Sequence, residues 1–253
     1  MNPTLLVSSA NYLMTLYPYL KMQIFNLDLQ IILMQIPVDR IFFINLDKSL
    51  IRRKNLIEHF KRIDLKDKDG REPIRFPALT GNDKTHSIKS KRETDQPGRP
   101  LSIGEIGCHA SHRAILQMHI VNEWEYVMYL EDDVRFVPKN MKILLDNWDK
   151  LPEFDFFNLS WHYFRRPRVQ KIEPVEFPLG GLWKGDGMWL THCYILSLNG
   201  ARKCEELTRE QSHSIDWHYS EIQSLMPSIG FKRGILSTQE NKGSGMKSII
   251  VHT

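Results

Sequence analysis

The stretch Glu125–Phe136, EYVMYLEDDVRF, decides how this sequence reads. Its first half is a continuous apolar run of strand length, the mark of a strand covered on both faces in an α/β sheet. The run stops at three consecutive acids, Glu131, Asp132 and Asp133. Carboxylates this close repel one another unless solvent or a cation relieves them. In open α/β sheets ligands bind beyond the carboxyl ends of the strands, where these acids stand. A solvated acidic turn and a site for a hard divalent ion both fit the three acids alone; their place after a long apolar strand favours the ion.

Outward from this point, strands and helices alternate. DRIFFINL (Asp39–Leu46) reads as a second buried strand, and Ser49 as the cap of a helix, SLIRRKNLIEHFKRI, with Leu56, Ile57, Phe60 and Ile63 as its apolar stripe. PIRFPAL (Pro73–Leu79) is a weaker strand, and residues 82–99 are a polar loop. Ser102 and Glu105 make an S-x-x-E capping box that opens a helix, with Ile103, Ile106, Ala110, Ala114, Gln117 and Val121 along one face of it. Gly104, Cys108, Ser111 and His112 fall on another face of it. Gly104 and Gly107 each cost this helix about 1 kcal/mol relative to alanine, which makes sense where something approaches the backbone closely.

Pro138 suits the first turn of the next helix. FDFFNLS (Phe154–Ser160) and MWLTHCYILS (Met188–Ser197) are further strands, and the chain from Arg165 to Gly187 is expected to be irregular. Ser197 caps LNGARKCEELTR, Asp216 precedes a helix, and FKRGILST closes the sheet. This alternation predicts a single α/β domain with a mostly parallel central sheet.

Composition narrows the function. With 42% hydrophobic and 25% charged residues, the 253-residue chain has the means for a packed core, which excludes disorder. A formal charge of +4 is too mild for a nucleic-acid binder and suits anionic small ligands or an acidic surface. Cys108, Cys193 and Cys204 show no paired spacing, so a reducing compartment is expected. Residues 1–37 carry a moderately apolar, nearly uncharged stretch without the basic start of a signal peptide. We read them as an appendage that packs on the domain, rests on a membrane surface or reflects a start set too far upstream, and residues 38–253 as the folded domain.

Taken together, the blocks resemble glycosyltransferase family 25, which includes lipooligosaccharide and collagen galactosyltransferases. FFINLDKSLIRRKNL is similar to the family's opening NLD-x(4)-RR block, and PIRFPALTG to the block after it. GEIGCHASH is similar to its GE(I/L)GC-x-x-SH helix, VMYLEDDVRF to its LEDD strand end, CYILSLNGARK to its Y-x-(I/L)-S-x-x-GA segment, and SIDWH to a short aspartate element. The likeness runs from about Val38 to Gln239. One departure is Thr191-His192-Cys193, where the family has smaller residues; another is the bulky Trp217.

The resemblance implies a GT-A-like (Rossmann-like) fold, a UDP-sugar donor and a divalent metal, Mn²⁺ or Mg²⁺. Asp133 is expected to ligate the metal, with Glu131 and His218 as further ligands and His192 as a competitor for the imidazole role. Glu131 and Asp132 would also orient ribose, sugar or metal-bound water. Asn45, Leu46 and Asp47 are expected at uracil or ribose, Arg52 or Arg53 at phosphate or an acid, and Ser111 and His112 at the donor site. Asp216 is the expected base for an inverting transfer, or else a helix cap; Asp186 is a weaker competitor. Trp161, His162, Tyr163 and Phe164 either offer an aromatic surface for a sugar or belong to the core. Arg165, Arg166 and Arg168 offer charge for an anionic lipooligosaccharide acceptor. The expected setting is cytoplasmic, with peripheral membrane association. Competing readings are a sugar nucleotidyltransferase, which wants a glycine after the first strand where NLDKSLIRR has none, and a degenerate transferase serving as a sugar-binding module.

Overall fold

A computed structural model describes residues 33–81, 100–162 and 172–239. The chain through residue 32, residues 82–99 and Tyr163 to Arg168 lie outside the described residues, so the expectations placed on them stay untested.

A short strand β1 (Met34–Gln35) leads into β2 (Arg40–Asn45) and helix α1 (Leu50–Arg62). Strand β3 (Leu65–Lys66) pairs with β1, and β4 (Ile74–Pro77) lies beside β2. Helix α2 (Ile103–Val121) precedes β5 (Tyr126–Glu131), β6 (Val134–Phe136) and α3 (Pro138–Leu145). Strands β7 (Phe156–Trp161), β8 (Ile172–Val175), β9 (Leu182–Gly185) and β10 (Cys193–Ser197) follow. Helices α4 (Leu198–Leu207) and α5 (Ile215–Ile222) come next, then β11 (Ser228–Lys232) and β12 (Ser237–Gln239).

Among the described residues, eight strands form the central sheet in the order β4-β2-β5-β10-β7-β11-β9-β8. The expected α/β domain is present, and its sheet is mixed. Strands β9 and β10 run against the other six, so four of the seven neighbouring pairs are antiparallel. The segment expected to be irregular before Gly187 instead contributes the β8–β9 hairpin to the sheet edge. Chain after Lys232 does not extend the sheet: β12 turns aside to pair with β6.

Apolar side chains cover both faces of the sheet. One layer holds Phe43, Met128, Leu130, Phe157 and Ile195; the other holds Phe42, Val127, Tyr129, Phe156 and Tyr194. Met34 and Ile36, on the appendage side of the expected boundary at Val38, are fully buried in the first layer. Along α1, Leu56, Phe60 and Ile63 are buried as the stripe predicts, whereas Ile57 is exposed; Ser49 occupies the N-cap without a side-chain bond.

Helix α2 buries Ile106 from its apolar face and also much of its polar face. The capping box forms as the sequence predicts, yet Ile103 and Val121 are exposed while His109, Ser111, His112 and His119 are buried. Polar partners inside the fold explain this. His119 Nδ1 meets Tyr129 Oη at 3.0 Å and His112 Nδ1 meets Tyr194 Oη at 2.6 Å, so the imidazoles are paired inside the core. Gly107 serves packing: a Cβ there would stand 2.4 Å from the Leu79 carbonyl oxygen.

Candidate functional site

Strands β2 and β5 lie side by side and in parallel, which brings Asn45 and the acids to one end of the sheet. Asp132 is buried and fully engaged. Asn45 Nδ2 donates to its Oδ2 at 2.7 Å, and Arg52 Nη1 to its Oδ1 at 2.6 Å. Arg52 also lies 3.7 Å from Asp133 Oδ2, so this one guanidinium serves two acids. Asn45 is itself gripped by Arg75, whose Nε donates to its Oδ1 at 3.2 Å. The Asn45 side chain therefore holds an acid in place. Asp47, placed at the nucleotide by the resemblance, points to solvent and pairs with Arg75.

Glu131 and Asp133 are less well compensated. Asp133 Oδ1 is buried without a hydrogen-bond partner, and burial, then the Glu131 charge, push its carboxyl up to about 7. Burial likewise raises Glu131. Asp216 joins this cluster from the first turn of α5, where Ser214, not Asp216, occupies the N-cap. Thr191 Oγ1 lies 2.8 Å from Glu131 Oε1 and 2.7 Å from Asp216 Oδ1. A hydroxyl has one proton to donate, so at most one of these contacts is served by Thr191 at a time. Burial and the Glu131 charge hold Asp216 at about 6. Thr191 follows Leu190, whose φ of 91° is rare for a side-chain-bearing residue; the Asn158 amide donates to the Leu190 carbonyl at 2.9 Å.

A cavity of about 570 Å³ opens beside the acids. Asn45, Leu46, Arg52, Ser111, His112, Glu131, Asp132 and Asp133 line it, as the sequence groups them, together with Lys48, Thr80, Gly104 and Cys108. Asp47 and Arg53 are not among its lining residues. Ser111 has local work: its Oγ accepts from the Leu79 N–H at 2.8 Å and donates to the Gly107 carbonyl at 2.7 Å. His112 is fully buried and, through that burial, held neutral, with its pKa lowered to about 4. Its Nε2 has no hydrogen-bond partner and stands 3.7 Å from Glu131 Oε1.

Several expected residues have other surroundings. His218 Nε2 accepts the main-chain N–H groups of Ser212 and His213 at 3.4 and 3.3 Å, and its ring packs on His109. That lone pair fastens the loop ahead of α5 and is not offered to the acids. His192 is buried with neither ring nitrogen bonded, and its carbonyl accepts the Glu131 N–H at 2.9 Å. Trp161 is core, edge-on to Trp183, and His162 is exposed. Asp186 lines a separate hollow of about 400 Å³ with Lys184 and Gln223. Sequence reasoning missed Thr191 as a bridge, although its departure from the family pattern marked the position; nothing local signals Arg75.

Does this cluster suit a divalent ion? Its donors fit. Three carboxyls with raised proton affinity, one carrying a buried oxygen without a partner, are a negative pocket short of positive charge.

Comparison with known proteins bears on this cluster. Residues 38–218 match the family model described as glycosyltransferase family 25 (LPS biosynthesis protein). A glycosyltransferase 25 family member of Drosophila melanogaster is 30% identical over 181 residues, covering 67% of this chain and 28% of the relative. Human procollagen galactosyltransferase 2 is 32% identical over 179 residues, 65% of this chain and 27% of its own length. A rat protein, probable inactive glycosyltransferase 25 family member 3, is 37% identical over 112 residues, 42% of this chain and 18% of the relative. The chain thus spans under a third of the length of these curated relatives.

Proposed function

The chain belongs to glycosyltransferase family 25, and from that premise we propose that it is an inverting, metal-dependent hexosyltransferase. The donor is a UDP-sugar, with galactose as the hexose, in line with the activity named for the human relative. The acceptor is a glycan, and the family description favours a lipopolysaccharide or lipooligosaccharide. We place the work at the cytoplasmic face of a membrane, reached by peripheral contact; no helix among the described residues is long and apolar enough to cross one.

One observation supports this above the others: Glu131 and Asp133, both with raised pKa values, line a cavity of about 570 Å³ together with Arg52 and Lys48, and Thr191 joins Asp216, raised as well, to Glu131. Asp133 and Glu131 would hold Mn²⁺ or Mg²⁺. Bound there, the ion would neutralise charge developing on the departing diphosphate. Arg52 and Lys48 add positive charge on the same side, and Asn45 and Arg52 orient Asp132 and oppose the rise in its pKa that burial causes. Asp216, near 6, is ionised at neutral pH yet basic enough to take a proton from an acceptor hydroxyl as it attacks the anomeric carbon. Thr191 fixes that carboxylate in place.

The degenerate-module reading keeps one support, the rat relative called probably inactive. Hydrolysis of a panel of UDP-sugars in the presence of Mn²⁺ separates the two. Turnover of UDP-galactose that Asp133→Ala abolishes supports the transferase; no turnover of any UDP-sugar by the wild-type chain returns it to a binding module.

A further inference from the structure

Cys108 and His112 stand four residues apart on α2, a spacing that puts both side chains on one face of a helix. Across from them, at the end of β5, is the Glu131 carboxylate. Ligand atoms of the three residues all lie within 4.8 Å of one another. The imidazole is prepared for the purpose: Nδ1 is held by Tyr194 Oη at 2.6 Å, which leaves Nε2, fully buried and unpartnered, turned toward Glu131 Oε1 at 3.7 Å. An outer hydrogen bond of this kind fixes the tautomer and orientation of a ligating histidine.

We propose that Cys108, His112 and Glu131 form a binding site for a thiophilic divalent metal of the Zn²⁺ class in the wall of the cavity. Thiolate, imidazole and carboxylate together suit zinc and its borderline neighbours and disfavour Mg²⁺, which takes oxygen. Around tetrahedral zinc such ligands stand roughly 3.5 Å apart, so side-chain rotations that draw the three together complete the geometry. The thiol proton leaves to solvent on binding. Because all three residues line the cavity, the fourth position opens onto it, as in zinc sites that keep a water or a substrate oxygen.

The site shares Glu131 with the oxygen-ligand cluster, so zinc withdraws that carboxylate from the hard ion. This consequence, unlike the site itself, rests on the transferase reading. Zinc is then an inhibitor of donor binding.

Titration of Zn²⁺ into the metal-free full chain, without nucleotide, tests the site, and Co²⁺ provides a spectroscopic reporter. One equivalent of Zn²⁺ is expected, with a thiolate-to-cobalt charge-transfer band in the Co²⁺ form. Cys108→Ser should remove the band and weaken Zn²⁺ binding at least tenfold, and His112→Gln should weaken it comparably. Cys193 and Cys204 are fully buried and do not supply the band. Melting curves without metal establish that each variant folds. Should neither fold, Zn²⁺ protection of wild-type Cys108 from alkylation decides, and lack of protection overturns the site. Unchanged Zn²⁺ affinity in Cys108→Ser, or a cobalt complex with no thiolate band, also overturns it. Loss of Mn²⁺-dependent UDP affinity on adding Zn²⁺ supports the competition for Glu131; unchanged UDP affinity with zinc bound refutes the competition and leaves the site standing.

Discussion

Glu131 and Asp216, 85 positions apart in the chain, are joined by a single hydroxyl: Thr191 Oγ1 is 2.8 Å from one carboxylate and 2.7 Å from the other. The bridge couples the acid at the strand end to the candidate base on α5. Thr191→Val keeps the shape of the side chain and removes the hydrogen bond. A loss of about 1–3 kcal/mol of positioning is expected, read as a roughly tenfold or greater fall in kcat for UDP-sugar turnover. Wild-type kinetics in this variant would mean that the bridge is incidental.

Asp216→Asn separates a base from a metal ligand. For a base, kcat falls at least about a hundredfold while UDP affinity in Mn²⁺ holds. If UDP affinity falls instead, the carboxylate belongs with the ion.

Asp133 ties stability to pH. Its carboxyl is raised from 3.8 to about 7, so the folded chain holds this proton more tightly than the unfolded one. Its contribution is therefore fully present below about pH 4 and is lost as pH climbs through 7. In metal-free buffer Asp133→Asn should be more stable than wild type at pH 8, by about 1–3 kcal/mol, with the difference gone at pH 4. Mn²⁺ should stabilise wild type and not the variant. Denaturant titrations at both pH values check this, and equal stability at pH 8 would remove the charge-crowded picture of the acids.

Arg52→Ala removes the cation hydrogen-bonded to Asp132, leaving it the Asn45 hydrogen bond and the Arg135 charge. Stripping one partner from a buried pair costs about 3–5 kcal/mol, and a loss near that size is expected in chemical denaturation. Asp132→Asn, which spares a charge, should cost less. If Arg52→Ala is neutral for stability, the guanidinium serves the ligand alone.

Much of this was legible from the chain because strand ends, caps and helix spacing are local. The apolar run before Glu131, the Ser102–Glu105 box and the four-residue step from Cys108 to His112 each announce themselves in a few residues. What stayed hidden was long-range. The polar face of α2 turns inward because Tyr129 and Tyr194, on other strands, meet its histidines, and hydropathy counts a histidine as outward. His218 looked available because the N–H groups of Ser212 and His213 that it accepts belong to a loop whose path no pattern predicts. Strand direction was half legible: β10 runs against β5 and β7 although its apolar run resembles theirs.

Binding of UDP by titration calorimetry, with and without Mn²⁺, on wild type and on Asp133→Ala, reaches the central claim most directly. Wild type should bind UDP at least about tenfold tighter with the ion, a difference of roughly 1.4 kcal/mol or more, and the variant should lose that gain. Equal UDP affinity with and without Mn²⁺ in the wild-type chain would contradict the account.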